Sequence, residues 1–187
     1  MGGVTGRAVG FLLLLWVASR VLGQGLTLAA GGPVAFLHGV NLIFHEAGHL
    51  IFAFFGSFVA VLGGSLNQVL IPAVCVVAFL RTHQRASAAV ALFWTGQSLA
   101  DVGVYAADGR AMALPLLADG LVHDWNYLLG VTGLLHRAEA IGRLLFGVGA
   151  LLMLGALAVL VLDLLRALGA RRPHPGRVDT GGSPRVE

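Results

Sequence analysis

Apolar residues in this chain come in long unbroken runs, not in the alternation of a half-buried strand. Five runs are long enough to cross a hydrocarbon core of about 30 Å, which takes about 20 helical residues. They cover roughly residues 8–29, 34–55, 58–80, 86–107 and 140–168. The pattern predicts an all-α fold, a polytopic membrane bundle of about five transmembrane helices. Residues 1–169 read as one transmembrane domain. Residues 170–187, rich in Pro, Gly and Arg, read as a disordered cytoplasmic tail.

The stretch between the fourth and fifth runs breaks the pattern. From Asp108 to Glu139 it is too long for a tight turn, and Leu114-Pro115-Leu116-Leu117 and Tyr127-Leu128-Leu129 make it too apolar for a solvated loop. Its pieces are expected to lie in the interface or dip back into the protein. The first run also has the outline of a signal peptide: Arg7, an apolar core, then small residues near Gly23. Charge favours a retained span. With five spans, Arg20, Arg81, Arg85, Arg166 and the basic tail share one side, leaving Arg7, Arg110, Arg137 and Arg143 on the other. The positive-inside rule then puts the N-terminus outside and the C-terminus in the cytoplasm. The location expected is a bacterial inner (plasma) membrane, with lipid as a partner.

Composition narrows the classes. The chain is 57% hydrophobic and only 11% charged, against about a quarter charged in soluble domains. All 12 basic residues are Arg, and no basic stripe runs through the body, so nucleic acid is not an expected partner. The single Cys75 excludes an intrachain disulfide and a Cys-based zinc site.

The second run holds His45-Glu46-Ala47-Gly48-His49, an HExxH pattern. Residues four apart share a helix face, so both imidazoles can reach one metal ion. Zinc suits imidazole nitrogen, and a catalytic zinc takes three protein ligands and a water. Glu46, beside the first His, is the candidate general base. Placing these groups within an apolar helix is costly unless they face a cavity or a partner. Counted at 1.5 Å per residue, Asn67, Gln68, Gln97 and Asp101 fall at roughly the depth of His45 and His49. Asp101 and His123 are the two candidates for the third ligand. Asn67, Gln68, Gln97, Asp108 and Asp124 are candidates for supporting the ligands or positioning substrate.

The HExxH inside an apolar helix, with an intramembrane Asp in a later span, resembles the site-2 protease family of intramembrane zinc metalloproteases. The resemblance covers about residues 41–108. It implies that His45 and His49 ligate zinc and that Glu46 is the base. The family's third ligand is an Asp in a Leu-Asp-Gly motif. The nearest matches here are Ala100-Asp101-Val102-Gly103 and Ala107-Asp108-Gly109. Gly96-Gln97, Ala107-Asp108-Gly109-Arg110 and His123-Asp124-Trp125 look more like a small group of bacterial membrane proteins with the same HExxH. The expected function is zinc-dependent hydrolysis of peptide bonds in or near membrane segments, on a membrane-protein or peptide substrate. The alternative is a non-enzymatic metal-binding or transport protein, in which the polar layer is an ion path.

Overall fold

A computed structural model describes residues 2–28, 31–116 and 121–170; the tail beyond residue 170 lies outside the described residues. The elements are α1 (Gly2–Gln24), α2 (Gly32–Phe52), a 3-10 turn (Ala53–Phe55), α3 (Ser57–Arg81), α4 (Arg85–Asp108), α5 (Asp124–Val131), a second 3-10 turn (Leu135–Arg137) and α6 (Ala138–Gly169). No strand occurs among the described residues, so the all-α expectation holds. Pro33 sits in the first turn of α2, where its missing N–H costs nothing. The sharp reversal into α3 is made at Gly56, whose φ of 89° favours glycine.

Three helical stretches are long and apolar enough to cross a membrane: Gly3–Gln24, Ser57–Arg81 and Leu135–Gly169. α2 and α4 are 21 and 24 residues long and fall outside that group. Their polarity is internal. α2 turns Asn41 and His45 inward, while Phe36, Ile43 and Leu50 on its outer side are largely exposed. α4 is enclosed by its neighbours and buries Gln97 and Ser98.

Glycine pairs bring α4 and α6 together. A Cβ on Gly96 would lie 2.6 Å from the Gly149 carbonyl oxygen, and one on Gly142 would lie 2.5 Å from that of Gly103. Each helix thus places two glycines seven residues apart, and the pairing order makes the helices antiparallel. Close backbone approach of this kind drives helix association in lipid through packing contacts. α1 packs against this same pair: Val17, Ala18 and Val21 join Met153 and Leu157 of α6 and Phe93 and Ala100 of α4 in one apolar core.

The direction of α1 differs from the sequence expectation. Arg7 Nε lies 3.4 Å from Asp163 Oδ2, so α1 starts at the end of the bundle where α6 finishes. Gln24 and Leu28, past the middle of the bundle, line a small cavity with Ala100, Asp101 and Val104. The two ends of the described chain therefore share one end of the bundle, where five full crossings would separate them. Arg7, Arg81, Arg85 and Arg166 gather there. Charge balance does not distinguish the two arrangements, because moving Arg7 in and Arg20 out leaves the count on each side unchanged.

Val34 and His38 line the same small cavity, so α2 begins part-way along the bundle. His38 then meets Asp101, Asn41 meets Gln97 and Phe44 packs on Trp94, so α2 advances against the direction of α4. It also advances against α3: the Phe44 carbonyl accepts from Asn67, and His49 bonds to the Ala60 carbonyl. α3 and α4 are themselves antiparallel, joined by the short turn at residues 82–84. α2 packs closely on α3 and meets α4 at only a few side chains, inclined to it.

Candidate metal centre

His45 and His49 stand one turn apart on the inward side of α2, with ring centroids 4.8 Å apart. Space for them comes from α3. A Cβ on Gly64 would fall 2.7 Å from Nε2 of both rings, so only glycine fits beneath the pair. The Nδ1 of His45 lies 3.0 Å from Gln68 Oε1, and that of His49 lies 2.9 Å from the Ala60 carbonyl oxygen. Both partners are acceptors, so each Nδ1 carries a proton, and each ring can offer its Nε2 lone pair to a metal ion once Nε2 is free of any proton of its own.

The third group comes from α5. Asp124 Oδ2 lies 2.8 Å from His45 Nε2 and 3.3 Å from His49 Nε2. The three candidate ligand atoms all lie within 4.8 Å of one another. Zinc bonds of about 2.0–2.2 Å in tetrahedral geometry put ligand atoms about 3.3–3.5 Å apart. With Nε2 unprotonated on both rings, three acceptors would face one point, and a metal cation would relieve that arrangement as protons shared with Asp124 do in its place. The donor set therefore fits a divalent ion that takes imidazole and carboxylate, and these three residues could hold it. Burial pushes the Asp124 carboxyl up, but the hydrogen bonds and charge of His45 and His49 outweigh it and hold the group below its ordinary value of 3.8. Asp124 is thus ionised.

α5 is carried into the bundle by several ties. The Asp124 amide donates to the Tyr105 hydroxyl at 3.1 Å, and Trp125 Nε1 donates to Ser65 Oγ at 3.1 Å. Asn126 Nδ2 donates to the Gly109 carbonyl at 2.9 Å. His123 caps α5 by accepting from the Asn126 amide at its Nδ1. Its Nε2 faces Asp108 Oδ2 at 3.3 Å. Both nitrogens of His123 are committed, and it does not join the three-atom cluster. Asp108 also accepts from the Ala113 and Leu114 amides, so its role is to shape the segment leading to α5.

Asp101 likewise stays outside the cluster. Its carboxylate accepts from His38 Nδ1 at 2.9 Å, Asn41 Nδ2 at 3.2 Å and Gln68 Nε2 at 3.3 Å. Gln97 Oε1 accepts from Asn41 Nδ2, and Asn67 ties α3 to the Phe44 carbonyl. Of the sequence candidates, the structure brings together His45, His49, Gln68 and Asp124. It sets Asn67, Gln97 and Asp101 one layer further out and places Asp108 and His123 in the support of α5.

Glu46 is exposed on the same helix and has no hydrogen-bond partner among the described residues. It lines a cavity of about 550 Å³ with His45, His49 and Asp124. Aliphatic side chains, including Leu42, Val104, Leu114 and Val122, form much of the wall. The Ala60 carbonyl is a contributor that the sequence does not single out, whereas Tyr105 follows from helix spacing as a residue on the α4 face of Gln97, Asp101 and Asp108. Gly63-Gly64-Ser65 is legible in the sequence as a point of close approach, but its partner is not. Comparisons with protein families, curated proteins and solved structures find no match to this chain.

Proposed function

We propose that the protein is a membrane-embedded zinc metalloprotease, hydrolysing peptide bonds in or near membrane segments. One observation carries the reading. Nε2 of His45, Nε2 of His49 and Oδ2 of Asp124 converge, and Glu46, its carboxylate free of hydrogen bonds among the described residues, lines the cavity they open onto. In this reading Asp124, in place of Asp101 or His123, is the third ligand. A zinc ion held there supplies Lewis acidity toward a carbonyl oxygen and acidifies a water. Glu46 takes the proton of the water that attacks the carbonyl carbon, and hands it to the nitrogen as the C–N bond breaks. The aliphatic wall accepts apolar side chains and keeps bulk water away from the reacting groups.

The membrane arrangement belongs to the same proposal. α1, α3, α4 and α6 cross, and α2 lies inclined among them. Four crossings leave both ends of the bundle's chain on one face, and the four Arg gathered there, together with Arg171, Arg172, Arg177 and Arg185 of the sequence that follows α6, make it the cytoplasmic face.

One observation favours a non-enzymatic metal-binding or transport protein. The polar network continues from the centre through Gln68 to Asp101 and His38, as an ion path would. Glu46→Gln separates the readings. Zinc content is measured on purified wild type, Glu46→Gln and His49→Ala, and each is incubated with a mixture of apolar membrane-segment peptides analysed by mass spectrometry. The proteolytic reading expects one zinc in wild type and Glu46→Gln, none in His49→Ala, and cleavage by wild type alone. Equal cleavage by Glu46→Gln overturns the mechanism. Zinc without cleavage in any sample moves the transport reading ahead.

A further inference from the structure

Asp101 touches neither imidazole of the centre, yet it is one side chain away from His45. Gln68 stands between them. Its Nε2 donates to Asp101 Oδ2 and to the Ser98 carbonyl oxygen, each at 3.3 Å, and its Oε1 faces His45 Nδ1 at 3.0 Å. A carbonyl and a carboxylate only accept, so the amide cannot turn over without setting its own oxygen against two acceptors. Oε1 is therefore held toward His45, and His45 must carry its proton on Nδ1. That tautomer leaves Nε2 bare for a metal ion.

The rest of the network keeps Asp101 in that role. The Trp94 indole N–H can only donate, and it donates to Asn41 Oδ1 at 2.9 Å. Asn41 therefore turns its amide nitrogen toward Asp101 and Gln97. His38 adds a donor from the other side. Three donors converge on one carboxylate, and its own capacity to fix Gln68 follows from being acceptor-only. His49 has no such dependence, since its Nδ1 is fixed by the Ala60 backbone carbonyl. The two imidazoles are thus oriented by different means.

We propose that Asp101, acting through Gln68, is a positioning residue that selects the metal-binding tautomer of His45. The inference rests on the reading of His45 as a metal ligand. Partners of this kind behind a ligating His typically change metal affinity about 10–100-fold when removed.

The test uses the full chain in detergent. Zinc affinity is measured by chelator competition, the ligand field by the visible spectrum of the cobalt-loaded protein, and folding by thermal unfolding of the apo-protein. Gln68→Leu keeps the volume and removes the acceptor. It is expected to bind zinc about 10–100-fold more weakly, with an altered cobalt spectrum. Asp101→Asn is introduced both alone and together with Gln68→Leu. Because Asp101 acts through Gln68, it is expected to weaken zinc binding in the wild-type background and to cost nothing further beside Gln68→Leu, whereas a merely structural role would cost the same in both. A folded Gln68→Leu within about threefold of wild type overturns the proposal. So does an Asp101→Asn change that costs as much affinity beside Gln68→Leu as it does in wild type. Wild type that binds no zinc overturns the metal centre itself, an outcome distinct from both.

Discussion

Asp124 Oδ2 lies 2.8 Å from His45 Nε2, although 79 residues separate them in the chain. The contact joins the start of α5 to the middle of α2 and completes a set of three ligand atoms that a single helix cannot supply. Asp101, which sits near the same level on α4, spends its carboxylate on His38, Asn41 and Gln68 instead. The two aspartates should therefore respond differently to substitution. Asp124→Ala is expected to lose zinc outright. Asp101→Asn keeps an acceptor for His38 and is expected to lose about tenfold in affinity or less. Metal content after dialysis against a weak chelator reads the difference, and the reverse ranking would return the ligand role to Asp101.

Gly64 offers a test by volume. A methyl group there would stand 2.7 Å from both Nε2 atoms, in the space where the ion would sit. Gly64→Ala is expected to weaken zinc binding by more than about tenfold and to destabilise the apo-protein by about 1–3 kcal/mol through overpacking. Gly147→Ala meets nothing within 4 Å and serves as the control. Equal zinc titrations for the two variants would show that the centre lies elsewhere.

The pairing of Arg7 with Asp163 makes topology measurable. Reporter fusions at the two ends of the chain are expected to read the same side, the cytoplasm. Ends on opposite faces would mean that α2 crosses the bilayer and that α1 inserts in the other direction.

Acid should expel the metal. Imidazole must be unprotonated to bind, so zinc affinity is expected to fall as pH is lowered through the range in which the imidazoles take up protons, with protons released on binding. Asp124 does not contribute to that fall, because its carboxyl is held below its ordinary value and stays ionised. In the apo-protein the sign is the same but the window is lower. The stability that Asp124 provides is complete above 3.8 and is lost as pH falls through its depressed value. Zinc titrations of wild type at several pH values check the first, and thermal unfolding of the apo-protein against pH, with Asp124→Asn as reference, checks the second. Affinity independent of pH in this range would argue against imidazole ligands.

The helical fold and the identity of two candidate ligands were legible in the residues themselves. Long apolar runs dictate helices because lipid leaves no other partner for backbone N–H and C=O groups. The spacing of His45 and His49 puts them on one face through helix periodicity alone. Gly96 with Gly103, and Gly142 with Gly149, were also present as a seven-residue spacing, though the spacing does not say which helices pair. Depth counting found Gln68 and Asp101 near the level of the imidazoles, because rise per residue is local geometry. It assumed that α2 runs the full depth, and α2 is not among the three helical stretches long and apolar enough to cross a membrane. The direction of α1, the inclination of α2 and the choice of Asp124 over Asp101 and His123 depend on contacts between segments far apart in the chain. Period and composition describe one helix at a time. Which carboxylate reaches the imidazoles is decided by how helices cross and by which hydrogen bonds each carboxylate has already made, and only the tertiary structure contains both.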